Sequence, residues 1–366
     1  MDFEIDQARF LSALNLAQTV ADRRSTMPIL ANVLLRVSSD HGLTCSATDM
    51  MISLTEKLDV HVTTEGSLTL GVRHLCNVLK TLPSGSVTMT ALDNHWAKIT
   101  AGRSEFKLMG MPNSEFPELP QVDNTALTMV PGPQLATLIQ KTIFSVSTDE
   151  ARVNLNGAFF ECDGTTATMV STDGHRLTKL SLPFEGPVLQ EGIIIPRKGM
   201  IEIRKVLDRV DGEVGFAVVD QFLHLQSENL TLAVKLNSVT FPAYGQVIPK
   251  SHTRRATIDR HELSGALRQA EVMAPEKTAT VRVELEEGTL RLTADNPELG
   301  VSNLEITAGY DGDKLVAGFN ARYLIDALES IDTDQVHLDF QGELDPCVLR
   351  PVEGPDFLAV VMPMRI

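Results

Sequence analysis

One pattern recurs three times along this chain at a spacing near 123 residues, and that recurrence limits the possible folds more than any other feature. An apolar strand pair ending in a small-polar-Asp turn is written as PILANVLLRVSSDHGLTCSATDMMISL, as VNLNGAFFECDGTTATMVSTDGHRLTKL and as ATVRVELEEGTLRLTADNPELGVSNLEI. The turn aspartates are Asp49, Asp173 and Asp295, separated by 124 and 122 residues. A second landmark, the residue opening a helical pattern, falls at Arg73, Arg197 and Asn320, separated by 124 and 123 residues. Two unrelated landmarks sharing one period leave little room for chance, and a repeat of this length dictates architecture. The 366 residues are therefore expected to form three similar domains, residues 1–122, 126–250 and 252–366.

Each copy opens with an amphipathic helical pattern. Phe10, Leu11, Leu14 and Ala17 carry it in the first copy, Leu135, Leu138, Ile139 and Thr142 in the second, and Leu263, Ala266, Leu267 and Ala270 in the third. Alternating strands follow, then the second helix, then further strands such as SVTMTAL, HWAKITA and FLHLQSE. The connections are too short for parallel crossovers, so the fold class is α+β with antiparallel sheets and two helices per repeat. Proline-bearing linkers, FPELPQVDNT and FPAYGQVIPKSHT, join the copies, and the same Phe-Pro pair (Phe116-Pro117, Phe241-Pro242) opens both.

Composition removes several function classes. No run of apolar residues reaches the length of a membrane-spanning helix. The opening MDFEIDQARF has no apolar core of a signal peptide, so a cytoplasmic protein is expected. Cys45, Cys76, Cys162 and Cys347 are scattered and expected to be reduced and buried. Phosphate-binding loops, dinucleotide fingerprints and metal-ligand spacings are missing, so no cofactor and no metal are expected. The run Ser171, Thr172, Asp173, Gly174, His175, Arg176 could be drawn as a nucleophile site. Adjacent turn residues cannot form the relay that such a site needs, however, and the Asp recurs at Asp49 and Asp295 without histidine. A structural turn, with the carboxylate accepting backbone N–H bonds, is the better reading.

The net charge of −16 speaks against a simple nucleic-acid coat, but the imbalance is uneven. Residues 251–366 hold 11 basic and 21 acidic side chains, and so supply −10 of it. Basic residues meanwhile recur beside the repeated helices: Arg23 and Arg24, Arg73 and Lys80, Lys141, and Arg254, Arg255 and Arg260. The second-repeat helix alone carries Arg197, Lys198, Arg204, Lys205 and Arg209, with Lys198, Lys205 and Arg209 expected on one face. A shared basic surface of this kind suits a phosphate backbone held without base readout. If the helices line a closed ring about 10 Å apart, six leave a bore of only about 10 Å. Twelve helices, from two chains, leave roughly 28 Å, enough for a duplex about 20 Å across.

With these residues in view, the whole chain resembles the bacterial DNA polymerase III beta subunit, the replicative sliding clamp. The marks are TMPILANVLL (26–35), LNGAFFE (155–161), STDGHRL (171–177), IIPRKGMIE (194–202), FPAYGQVIPK (241–250), ADNPE (294–298), GFNARYL (318–324) and the terminal VVMPMRI. The resemblance implies a non-catalytic processivity factor: a head-to-tail homodimer ring around duplex DNA that tethers the replicative polymerase catalytic subunit. It also implies a clamp loader and other clamp-binding-motif proteins as partners.

Site residues follow from the resemblance, position by position. Partners of this family insert a short apolar peptide into a groove between the second and third domains. The matching positions from the second domain are Leu155, Thr172, Gly174, His175, Arg176, Leu177, Pro242 and Val247. From the third they are Asn320, Tyr323, Val360, Met362, Pro363, Met364 and Arg365. Leu, Val, Met and Pro would supply an adaptable apolar pocket, with His175 and Arg176 as its polar edge. Arg24, Arg73, Arg197 and Lys198 match basic DNA-facing positions. Thr148, Asp149, Val153, Asn154 and Gln246 depart from the family pattern, which shifts DNA affinity toward Arg152, Arg204 and Lys205. The dimer seam would set Phe106 and Leu108 of one chain against Val272 and Met273 of the other. Two rival readings are an enzyme using His175 and Asp173, which the repeated turn disfavours, and a scaffold without DNA contact.

Overall fold

The computed structural model describes residues 1–366. The first repeat runs β1 (Asp2–Asp6), α1 (Gln7–Val20), β2 (Asn32–Ser38), β3 (Gly42–Thr48), β4 (Ile52–Leu58), β5 (His61–Thr64), β6 (Gly66–Gly71), α2 (Val72–Thr81), β7 (Ser86–Ala91), β8 (Trp96–Ala101) and β9 (Ser104–Met111). The second runs β10 (Thr128–Pro131), α3 (Gly132–Thr142), β11 (Gly157–Cys162), β12 (Thr166–Thr172), β13 (Arg176–Pro183), β14 (Ile193–Pro196), α4 (Arg197–Leu207), β15 (Glu213–Val219), β16 (Phe222–Gln226) and β17 (Leu230–Lys235). The third runs β18 (Arg254–Asp259), α5 (Arg260–Glu271), β19 (Thr280–Glu286), β20 (Thr289–Asn296), β21 (Gly300–Thr307), β22 (Leu315–Asn320), α6 (Ala321–Glu329), β23 (Gln335–Phe340), β24 (Cys347–Pro351) and β25 (Asp356–Val361). No helix is long and apolar enough to cross a membrane.

The helices form where the apolar spacing places them. Phe10, Leu14 and Ala17 of α1 are buried, as are Leu135, Leu138, Ile139 and Thr142 of α3 and Leu263, Ala266, Leu267 and Ala270 of α5. Side-chain caps fix three of the starts: Asp6 accepts from the Arg9 N–H, Asp259 from His261 and Glu262, and Asn320 from Arg322. Each repeat also begins with a short strand, β1, β10 or β18, that the sequence pattern does not announce. These strands are four to six residues long and run straight into a helix, so their alternation merges with the helical period.

The strand pairs are antiparallel throughout. Two of the pairings join neighbouring repeats. Strand β4 pairs with β17, setting Ser53 opposite Ala233, and β13 pairs with β25, setting Leu177 opposite Val360. Each joint therefore unites the fourth main strand of one repeat (β5 being an extra of the first) with the last strand of the next. The central repeat is divided by this arrangement. Its β10, β15, β16 and β17 belong to the 13-stranded sheet of the first repeat, whereas β11 to β14 share an 8-stranded sheet with β18 and β23 to β25. Two compact units result, Met1–Pro133 with Ile201–Leu236 and Gln134–Met200 with Asn237–Ile366, and each contains one joint.

The repeated turn is structural. Asp49 Oδ1 accepts from the N–H groups of Met51 and Ile52, and Asp173 Oδ1 accepts from those of His175 and Arg176. In the third copy the acceptor moves one residue on, to Asn296, which accepts from Glu298. All four cysteines are free and buried, and burial raises each thiol above its ordinary pKa.

Candidate functional site

In the second unit the β13–β25 joint builds a continuous apolar surface. Val170, Leu177, Ile194, Phe241, Val348, Leu358 and Val360 form one buried cluster, with Phe159, Tyr244 and Ile248 packed against it. Alternation explains the membership, because Leu358 and Val360 lie two residues apart and so share a face of β25. Phe159 stacks on Phe241 with centroids 5.4 Å apart, and the Tyr244 hydroxyl donates to Glu161 at 2.9 Å. Burial, and then that bond, push the Tyr244 hydroxyl up to about 12. Val247 and Met362 remain exposed beside the cluster, 45 % and 37 % respectively.

The C-terminal segment is tied down residue by residue. The Met362 N–H donates to the His175 carbonyl at 2.9 Å, and the Met364 N–H to the Gly318 carbonyl at 2.8 Å. A side chain at position 318 would put its Cβ 2.3 Å from Ile366 and 2.7 Å from the Met364 carbonyl oxygen, so glycine is required for this approach. The Met364 sulfur accepts from the Thr280 hydroxyl at 3.7 Å. Thus Leu177, Val360, Met362, Met364 and His175 are brought together. Asn320 serves first as the cap of α6. Leu155, half-buried, closes a backbone turn with Arg152 and Ser147.

Arg176, expected at the polar edge, makes several internal contacts. Its guanidinium pairs with Asp173 at 3.0 Å and with Asp326, and donates to the Phe144 carbonyl. It also lies 4.4 Å from the Tyr323 ring centroid and 5.4 Å from that of Phe144. This cation is committed to internal contacts that fasten β13 to α6 and to the turn that follows α3. His175, exposed, is left as the polar group of the Asp173 turn. Ser171 donates to the Thr142 carbonyl from a buried position, and Asp173 is occupied by its own turn and by Arg176. Serine, aspartate and histidine here form no relay.

Among the basic candidates, Arg24, Arg73, Lys198 and Arg152 are exposed. Arg73 and Arg197 lie in the first turns of α2 and α4, where a cation opposes the helix dipole. Arg197 is half-buried, with its Nε shielded and unbonded. Ion pairs hold Arg204 to Asp208 at 2.9 Å, Lys205 to buried Glu202 at 2.8 Å, and Arg152 to Asp149 at 3.3 Å. Arg209 lies beyond the end of α4, bonded to Glu56 at 3.0 Å and to Ser12, so it does not extend a face of Lys198 and Lys205. Burial raises the Glu56 carboxyl above its ordinary pKa, against the opposing pull of Arg209.

The expected seam residues lie on β9 and just past α5. Phe106 and Leu108 of β9 pair across to Ile99 and Ala97, which belong to the buried core, yet are themselves only half-buried. Val272, just past α5, is 70 % exposed, and Met273 is half-buried.

Comparison with known proteins covers the full length. Residues 1–120, 129–243 and 245–365 match the N-terminal, central and C-terminal domains of the DNA polymerase III beta subunit. The chain is 32 % identical to the beta sliding clamp of Pseudomonas aeruginosa over 368 residues, with all of both chains covered. The beta sliding clamp of Caulobacter vibrioides is also 32 % identical, over 373 residues and with full coverage of both. Among solved structures, the P. aeruginosa DNA polymerase III subunit beta superposes with a TM-score of 0.94 at 31 % identity over all of both chains. A P. aeruginosa sliding clamp bound to griselimycin gives the same values.

Proposed function

The chain belongs to the DNA polymerase III beta subunit family, the sliding clamps, and from that premise we propose that two copies close head to tail into a ring around duplex DNA. Family membership makes it a three-domain, non-catalytic processivity factor of DNA replication. The domain limits are proposed as 1–122, 126–250 and 252–366.

One observation carries the ring. The first and second repeats each offer their fourth main strand to the last strand of the next repeat, at β4–β17 and β13–β25. The corresponding strands left over are β21, an open edge of its four-stranded sheet, and β9, which meets β6 only at Gly110 and Met111. Unpaired edges of this length attract a partner strand. A second copy supplies the missing partner for both, bringing Phe106 and Leu108 toward Val272 and Met273. Two identical joints then close the assembly, as cyclic symmetry requires. Arg24, Arg73, Arg197 and Lys198 would meet phosphates without reading bases, and Arg152, Arg204 and Lys205 would join them by exchanging their carboxylate partners for phosphates.

The apolar cluster at the second joint is the proposed groove for the polymerase catalytic subunit, the clamp loader and other proteins carrying a clamp-binding motif. Exposed Val247 and Met362 beside the buried Leu177 and Val360 support it, since flexible apolar side chains suit several peptides. The test is retention on a nicked circular plasmid after loading by a bacterial clamp loader with ATP. Stable retention on the circle and rapid loss after linearisation are expected. Retention indifferent to DNA ends would replace the ring with ordinary contact binding.

A further inference from the structure

The two joints are built to one register but carry opposite chemistry on the same face. In the hairpins leading into them, Thr48 is opposite Ser53 and Thr172 is opposite Leu177. Across the joints, Ser53 meets Ala233 and Leu177 meets Val360. One strand further, Ala233 is opposite His224 and Val360 is opposite Val348. Thr231 and Leu358 stand two residues before Ala233 and Val360. On the other side, Ser46 is opposite Thr55 and Val170 is opposite Lys179. Position for position, Val170, Leu177, Val348, Leu358 and Val360 of the second joint become Ser46, Ser53, His224, Thr231 and Ala233 in the first.

The first joint still keeps a cleft on this face, of about 260 Å³, with Ser53, Thr55, Thr231, Ala233, Leu119 and Val122 among its walls. Met50 and Met51, 51 % and 46 % exposed, occupy the places of Gly174 and His175 in the turn. Lys57, Gln121, Asn124 and Gln226 also line the cleft, and its floor is polar. Ser46 bonds to Thr55 at 2.9 Å and Ser53 to Thr48 at 2.8 Å, so those hydroxyls are already satisfied by one another. Such a floor offers an apolar side chain little surface to leave water for, and few free donors to a peptide backbone.

We propose that Ser46, Ser53, His224, Thr231 and Ala233 are specificity-determining residues: they prevent the first joint from accepting the apolar peptide segment that the second joint takes, so that each chain presents a single groove. The inference rests on the groove reading above. Its test is titration of a fluorescent hexapeptide bearing leucine and phenylalanine side chains into full-length protein, with stoichiometry read by calorimetry. The wild type should bind one peptide per chain. Ser53→Leu with Thr231→Leu and Ala233→Val should double that to two, and adding Met362→Ser to the triple variant should return it to one. A folded triple variant that still binds one peptide overturns the inference while leaving the groove reading intact. No binding by the wild type removes both. Should the triple variant fail a thermal-melt check, Thr231→Val with Ala233→Val is held to the same outcomes, the second site then being the weaker of two.

Discussion

At the scale of single residues, Arg176 shows how one guanidinium can hold a strand, a turn and a helix together. Its side chain is 13 % exposed, and the carboxylates it joins, Asp173 and Asp326, are 17 % and 37 % exposed. Removing the guanidinium strands a largely buried Asp173, so Arg176→Ala should cost about 3 kcal/mol, the more exposed Asp326 arm contributing least. Arg176→Lys keeps the charge but loses the planar fork and the stacking on Tyr323, and should cost about 1–2 kcal/mol. Urea midpoints measure both; equal losses for the two variants would mean that the guanidinium geometry, rather than charge, decides. His224 gives a pH-dependent counterpart. Burial holds its imidazole below the ordinary value of 6.5, with Asp220 opposing weakly. The neutral form is thus favoured in the fold, and its contribution to stability is complete above 6.5 and lost as pH falls through the depressed value. His224→Phe should flatten the acid-side fall of the urea midpoint, and an unchanged fall would place the acid sensitivity elsewhere. The turn roles of Asp49 and Asp173 were legible in sequence because an Asp beside a β-turn acts locally; in the third copy the expected Asp295 is replaced as acceptor by Asn296. The burial of Arg176 was not legible, because it depends on Tyr323 and Asp326, roughly 150 residues away.

At the scale of elements, the period revealed the repeated helices, since a buried face at helical spacing is written within a dozen residues. Strand edges are another matter. Which strand ends unpaired depends on partners such as β4 and β17, nearly two hundred residues apart, and no local pattern encodes that register. The short strands β1, β10 and β18 escaped for the opposite reason, being too brief to establish an alternation. The open edge of β9 leads to a direct expectation. Phe106→Arg with Leu108→Arg should place charges at the proposed seam and convert two-chain particles to single chains by light scattering, with circular dichroism unchanged. Two-chain particles that persist would move the interface away from β9.

At the scale of the whole molecule, an excess of 16 negative charges coexists with a proposed DNA partner because the cations are distributed by helix position, not by number. Weak, salt-sensitive binding would then suit a ring that must slide. Replacing Arg73, Arg197 and Lys198 with Ala should weaken binding to open DNA uniformly across sequences. Each phosphate no longer neutralised should reduce the slope of log affinity against log salt by about 0.9. Fluorescence anisotropy across a salt series measures this, and an unaltered slope would mean that these three side chains do not touch phosphates. The recurrence of basic residues beside the helices was legible in the sequence. The carboxylates that pair with Arg152, Arg204 and Lys205 also stand three or four residues away, within reach of a sequence reading, whereas the half-burial of Arg197 depends on packing that no spacing encodes.

The buried cysteines have a practical corollary. Cys45 and Cys76 lie in one compact unit and Cys162 and Cys347 in the other, all four withdrawn from solvent and held as thiols by their surroundings. A native chain should therefore ignore an alkylating reagent, and every tag it acquires records an opening event. Two tags on one pair of thiols identify the half of the chain that came apart, and four identify complete collapse. The protein thus carries an intrinsic mass-spectrometric log of how it unfolds, two marks to each half, with no label engineered in.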